Sequence, residues 1–342
     1  MIKHILEDIK SRVKGSNARF IYTEVNDDRI LIGADRVLKE ELALPVFVGN
    51  EKEARQRMEK LKIDSSKFEI IEPEKSEKLQ EYAEEFYNMR KHKGITKEEA
   101  LKLMGQPNYF GTMMLYKMEG DCLVSGAHYT TAETLRPALQ IIGVYPGIKT
   151  VSSFFIMTFK GEEEKICFFA DCAVVRNPSA EELSEIAIET ADSAKKFGIV
   201  PRIAMLSYST KGSGFGESVD KVRVATEIVK KKRPNLVIDG ELQLDAAIVP
   251  EIAKLKCPDS LINGDANVLI FPDLNSGNIG YKLVERFDGT TATGPIVQGL
   301  NRPLNVLSRG CSVDDVVNVS VITIMQVLEQ KKILNNSKEK IF

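Results

Sequence analysis

Three stretches of this 342-residue sequence place anion-binding or reactive side chains at spacings that could do chemistry. In LSRGCSVDD, 307–315, Arg309 could fork onto a phosphate, Ser308 could donate a hydrogen bond, and Asp315 could accept a proton. A local reading competes for Asp315. Ser312 and Asp315 have the S-x-x-D spacing of a capping box, in which the acidic side chain closes a helix start. The same spacing recurs at Thr96 with Glu99, Thr130 with Glu133 and Ser179 with Glu182, so it is a routine helix start in this chain.

In VSGAHYTTAETLRPALQ, 124–140, small residues and the hydroxyls of Ser125 and Thr130 stand at a strand end, with Arg136 in the helix that follows. Arg136 could equally pair with Glu133 at i,i+3, a contact worth a few tenths of a kcal/mol. His128 could be a general base, and a Cys311–His128 nucleophilic pair would require the two to meet in space. In LSYSTKGSGFGES, 206–218, a loop carrying Gly212, Ser213 and Gly214 precedes a helix. Backbone N–H groups there could meet an anion at the helix start. The loop matches neither GxxxxGK[ST] nor GxGxxG, and a flexible connection is the plain alternative. NMRKHKGIT, 88–96, adds Arg90, Lys91 and Lys93, a pattern that is most often a solvated face. Asp171, Asp239, Asp245, Asp265 and Asp273 are scattered, with no HExxH, EF-hand loop or paired DxD. No metal is called for.

The elements that must position these groups alternate. ARFIYTEV at 18–25, LPVFVG at 44–49, FEIIEP at 68–73 and DCLVSG at 121–126 read as buried strands separated by amphipathic helices, and 76–118 is wholly helical and charged. A Pro146-Gly147 pair marks a plausible boundary before the strands KTVSSFFIMTF and KICFFADCAVV. After it come RIAMLSYS, LVIDG, ANVLIFP and TATGPIVQG with helices between, including one from Asp245 to Lys256. A last helix runs from Ser312 to about Lys332. The alternation predicts an α/β fold of parallel strands with helices on both faces.

The formal charge is −2, which argues against a protein whose main partner is a polyanion. Half of residues 51–100 are charged, whereas 241–310 is charge-poor, as expected of solvated helices and of buried strands with a ligand-facing loop. The N-terminus mixes both signs of charge and has no apolar run of the signal-peptide kind. Nothing reaches the roughly 18 apolar residues that span a bilayer, so cytoplasm is the expected compartment. Five cysteines without a CxxC pair suggest reduced thiols.

SGAHYTTAETLRPALQ, FADCAV, AMLSYSTKGSG, DGELQLDAA, FPDLNSGNIGYKLVER and GPIVQGLNRPLNVLSRG, in this order, closely resemble the phosphate acetyltransferase (phosphotransacetylase) family in its short, single-module form. The resemblance implies two doubly wound α/β domains separated by a cleft, similar to the isocitrate and isopropylmalate dehydrogenases. The first domain would be 1–145 plus 302–342 and the second 146–301. It implies the reversible reaction acetyl-CoA plus phosphate giving acetyl phosphate plus CoA, by direct attack in a ternary complex. CoA would be a substrate, with no tightly bound cofactor. It places the catalytic set on Ser308, Arg309 and Asp315, and substrate or CoA contacts on Arg90 and Arg136. Ser125, Thr130, Gly212, Ser213 and Gly214 complete the expected binding set. The expected partners are small molecules and a second copy of the chain, with acetate kinase a metabolic neighbour only, and neither nucleic acid nor membrane. Tyr129 stands where the family usually has His, and Val306 where it commonly has Asp. Related alternatives are phosphate butyryltransferase and, from another class, an NAD(P)-dependent 2-hydroxy-acid dehydrogenase on the same fold.

Overall fold

A computed structural model describes residues 2–159 and 165–339. In chain order the strands are β1 (Arg19–Tyr22), β2 (Leu44–Val48), β3 (Glu69–Ile71), β4 (Cys122–Ser125), β5 (Ser152–Phe159), β6 (Lys165–Ala170), β7 (Arg202–Leu206), β8 (Val237–Leu242), β9 (Val268–Ile270), β10 (Thr291–Gln298) and β11 (Leu304–Val306). The chain divides into two compact units, 6–145 with 300–339 and 2–5 with 146–299. Each is α/β.

In the first unit the strands lie in the order β11-β4-β1-β2-β3, and every pairing is parallel. A parallel sheet covered on both faces requires continuously apolar strands, and Phe20, Ile21, Tyr22, Phe47 and Val48 are wholly buried. From β1 the chain adds β2 and β3 on one side and then crosses to β4 and β11 on the other. The strand order therefore reverses between β1 and β4, and ligands of open α/β sheets bind outside the carboxyl ends of the strands at such a point.

The loop after β11 leads into the helix Val313–Glu339. Val316, Val317, Val319, Val321, Ile322 and Ile324 on it are all buried, the mark of a helix inside the core rather than along its surface. Gly33 permits the neighbouring helix Asp28–Lys39 to approach closely, since a Cβ there would lie 2.5 Å from Val316 Cγ1. A bond of 2.8 Å between Tyr22 Oη and Ser320 Oγ fastens β1 to this core helix.

The second unit departs from an all-parallel sheet. Its order is β10-β5-β6-β9-β7-β8, with β10–β5 and β5–β6 antiparallel and the other pairs parallel. The reason lies in the chain: only residues 160–164 separate β5 from β6, and a parallel crossover takes about a dozen or more. The single helix expected from Asp245 to Lys256 is two helices, Leu244–Ile248 and Pro250–Lys256, because Pro250 cannot donate a backbone hydrogen bond and begins a new first turn.

Candidate active site

The carboxyl ends of β1, β4 and β11 lead into three neighbouring loops that carry most of the candidate residues. Leu307 N–H donates to the Ser125 carbonyl at 2.7 Å, which locks the β11 loop beside the β4 loop. Gly126 sits at this junction with φ +116°, and a Cβ there would lie 2.7 Å from the Leu307 carbonyl oxygen, so no larger residue fits.

The loop after β1 braces the other two. Glu24, 1 % exposed, accepts the backbone N–H groups of Gly126 (2.8 Å) and Ala127 (3.0 Å) on Oε2, and those of His128 and Tyr129 (both 2.8 Å) on Oε1. A carboxylate offers about four lone-pair directions, and all four are used. Arg29 does the converse. Its Nη1 donates to the carbonyls of Arg309 and Cys311 (both 2.8 Å), and Nη2 donates to the Ala127 carbonyl (2.9 Å) and Asp27 Oδ2 (2.6 Å). Nε donates to Asp27 Oδ1 (3.0 Å). The bond to Arg29, with help from neighbouring backbone N–H groups, outweighs burial and holds the Asp27 carboxyl below its ordinary range.

Within the β11 loop, Cys311 N–H donates to the Ser308 carbonyl (2.9 Å) and Gly310 N–H to Ser308 Oγ (3.3 Å). The Ser308 hydroxyl proton remains available to an acceptor outside the loop. Asp315 begins the core helix: Oδ2 accepts from Ser312 N–H and Oγ–H, while among the described residues no donor meets Oδ1. Burial pushes the Cys311 thiol up to about 11, with Arg29 opposing and Asp315 adding to the rise.

The arginines of this unit fall into two groups. Arg12, Arg19, Arg29, Arg36, Arg55 and Arg57 each form an ion pair with a carboxylate. Among the described residues, no carboxylate within ion-pair distance meets Arg90, Arg136, Arg302 or Arg309. Glu133 closes the Thr130 cap and lies beyond ion-pair distance of Arg136, although the Arg136 charge, after the bonds from Thr130, is among the causes that lower its carboxyl. Arg90 ends the helix Leu79–Arg90 and Arg136 lies in the helix Thr131–Pro137. Both bear on Tyr109: burial raises its phenol, and the charges of Arg136 and Arg90 pull it back. Guanidinium groups without a carboxylate partner are what a phosphate-rich ligand requires.

A model of the family described as phosphate acetyl/butaryl transferase matches residues 4–324. The chain belongs to that family. It is 52% identical to the phosphate acetyltransferase of Clostridium acetobutylicum over 94% of this chain and 98% of that protein. It is 45% identical to that of Bacillus subtilis over 95% and 99% respectively. Among solved structures, a phosphotransacetylase from Streptococcus pyogenes superposes with a TM-score of 0.91 at 45% identity, covering 96% of this chain and 99% of that one.

The other residues expected at the phosphate acetyl/butaryl transferase site have partners within the protein or stand exposed. Ser125 is wholly buried, and its hydroxyl accepts from Thr23 at 2.9 Å at the sheet end. Thr130 closes the cap of the helix Thr131–Pro137. His128 is exposed, with its ring centroid 6.1 Å from that of Tyr129. The glycine loop belongs to the second unit, and its backbone N–H groups have partners within that unit. Gly212 N–H donates to Glu241 (2.9 Å), Ser213 N–H to the Thr210 carbonyl (3.0 Å) and Gly214 N–H to Ser209 Oγ (2.9 Å). The buried Glu241 carboxylate thus takes one of the three N–H groups. Burial would raise the Glu241 carboxyl, but Arg223, the Gly212 N–H and Ser209 together hold it at about 2.

Glu24, Arg29 and Tyr109 carry no sequence signal of their own, because two of them act on backbone atoms and the third is one apolar-looking position in a helix. Among the described residues, no group of three or more His, Cys, Asp or Glu side chains is placed to hold a metal ion, and no helix is long and apolar enough to cross a membrane.

Proposed function

We propose that this chain is a phosphate acetyltransferase, moving an acetyl group reversibly between CoA and inorganic phosphate by direct attack in a ternary complex. The observation that carries the reading is that, among the described residues, no carboxylate lies within ion-pair distance of Arg90, Arg136 or Arg309, in a unit where six other arginines have such partners. A buried carboxylate beside such a group would cancel its pull on phosphate; here that pull is preserved.

In the CoA-consuming direction the thiol sulfur attacks the carbonyl carbon of acetyl phosphate. The S–C bond forms, the C–O bond to phosphate breaks, and the thiol proton passes to Asp315 through Oδ1. Arg309 clamps the departing phosphate with its planar fork, and Ser308 donates to the carbonyl oxygen as negative charge develops there. Arg90 and Arg136 hold phosphate groups of CoA or acetyl phosphate. Free thiols titrate near 8.5, so the cationic surroundings that Arg309 supplies favour the thiolate. An acetyl-Cys311 intermediate is disfavoured by that thiol's burial and its shift to about 11.

A second copy of the chain is the macromolecular partner in this reading. Ile279, Leu283 and Phe287 recur at four-residue spacing on the helix Leu274–Asp288 and are exposed, forming an apolar stripe suited to self-association. Sedimentation of Leu283→Glu as a monomer, against a wild-type dimer, would support that use of the stripe, and an unchanged dimer would discard it. Cytoplasm is the proposed compartment.

The deciding experiment mixes the protein with CoA and acetyl, propionyl or butyryl phosphate and follows thioester formation by ultraviolet absorbance, with and without a chelator. Acetyl phosphate is the expected best donor. A preference for butyryl phosphate would move the chain to the other activity in the family's description, and no thioester from any donor would overturn the reading.

A further inference from the structure

The geometry points to Arg29 as the positioning residue of the Ser308–Arg309 loop, an inference that rests on the function proposed above. A guanidinium has five N–H donors, and all five of Arg29 are spent on protein: two on the carbonyls of Arg309 and Cys311, one on the Ala127 carbonyl and two on Asp27. Asp27 also neutralises its charge. Arg29 therefore has neither a donor nor net charge left for substrate, unlike Arg309, whose guanidinium has no carboxylate partner among the described residues.

What Arg29 controls is direction. The carbonyls of Arg309 and Cys311 flank Gly310, the one residue in the turn without a side chain to restrain it. The two carbonyls belong to the 309–310 and 311–312 peptides, so the bonds to Arg29 pin the chain at both ends of the Gly310–Cys311 segment and orient the peptide that leaves the Arg309 Cα. The bond to Ala127 refers that direction to the β4 loop, which Glu24 holds rigid through four N–H groups. The strand residue before the loop cannot share this work, because Val306 has no polar side-chain atom and is wholly buried. Misplacement of a catalytic group by about 1 Å can cost on the order of 100-fold in rate.

The test compares wild type, Arg29→Lys and Arg29→Ala, reading kcat, KM for CoA and KM for acetyl phosphate by thioester absorbance, together with the thermal midpoint. An ammonium has three donors and no planar fork, so Arg29→Lys should lower kcat by about 10- to 100-fold while both KM values stay within about threefold. Added guanidinium ion should restore Arg29→Ala by about fivefold or more and leave wild type unaffected. An unchanged kcat, a loss confined to KM, or the absence of any guanidinium response in a folded Arg29→Ala would overturn the assignment. If Arg29→Ala does not fold, the kcat-against-KM split in Arg29→Lys decides alone. Wild type that forms no thioester overturns the underlying function and not the positioning role.

Discussion

Ser312 and Asp315 hold each other reciprocally: Ser312 N–H and Oγ–H both donate to Asp315 Oδ2 at 2.8 Å, and Asp315 N–H donates back to Ser312 Oγ at 3.1 Å. One carboxylate oxygen is therefore committed to the helix start, while the other is free of protein donors among the described residues. Cap and base are compatible in a single side chain.

Asp315→Asn separates the two duties. The asparagine carbonyl oxygen can still accept from Ser312 N–H and Oγ–H, so the thermal midpoint should stay close to wild type. It cannot take up a thiol proton, and kcat should fall by roughly 10²- to 10⁴-fold with little change in KM for CoA. Undiminished turnover would leave Asp315 a cap alone.

Arg309→Lys keeps the charge and loses the fork. Losing one charge-assisted hydrogen bond of about 1.5–3 kcal/mol should lower kcat/KM for acetyl phosphate by roughly 10- to 100-fold. Steady-state kinetics near the wild-type values would remove Arg309 from the phosphate.

Cys311→Ala should keep its turnover, since the thiol is buried and shifted to about 11, far from the thiolate a nucleophile requires. The lost packing should cost about 1 kcal/mol of stability. Loss of activity in a folded Cys311→Ala protein would reinstate the covalent route.

Acid should expose the contribution of Glu241. Its carboxyl is held at about 2 in the folded unit against an ordinary 4.5, so the unfolded chain binds the proton more readily. The stabilisation is complete above about pH 4.5 and is lost as pH falls toward 2, where both states are protonated. Thermal melts across this window should show a steeper decline in wild type than in Glu241→Gln. Parallel declines would mean that Arg223 and the Gly212 N–H contribute nothing through this carboxylate.

The α/β class is legible because buried strands and amphipathic helices have different periods, and helix starts are legible because a capping box is local. Thr96 with Glu99, Thr130 with Glu133 and Ser179 with Glu182 all close as boxes. Less legible was whatever depends on long-range pairing. Nothing in FFIMTF or KICFF distinguishes a parallel from an antiparallel neighbour, and only the short connection between them does. In the same way Gly212 and Gly214 look available for an anion until Glu241 and Ser209, remote or unremarkable in sequence, are found on their N–H groups. Glu24 and Arg29 are invisible for a related reason: their bonds to the site loops go to main-chain atoms of residues about a hundred or more positions away, which leave no mark on side-chain spacing.

The division of one unit between 6–145 and 300–339 also sets an order of events during synthesis. When β4 leaves the ribosome, one edge of it has no neighbour, because β11 and the core helix are still to be translated beyond the whole of 146–299. The inserted unit has all its strands first. The half-built sheet waits with the Glu24 loop present and the Ser308–Arg309 loop still to come, so the two loops meet only when the last stretch pairs beside β4.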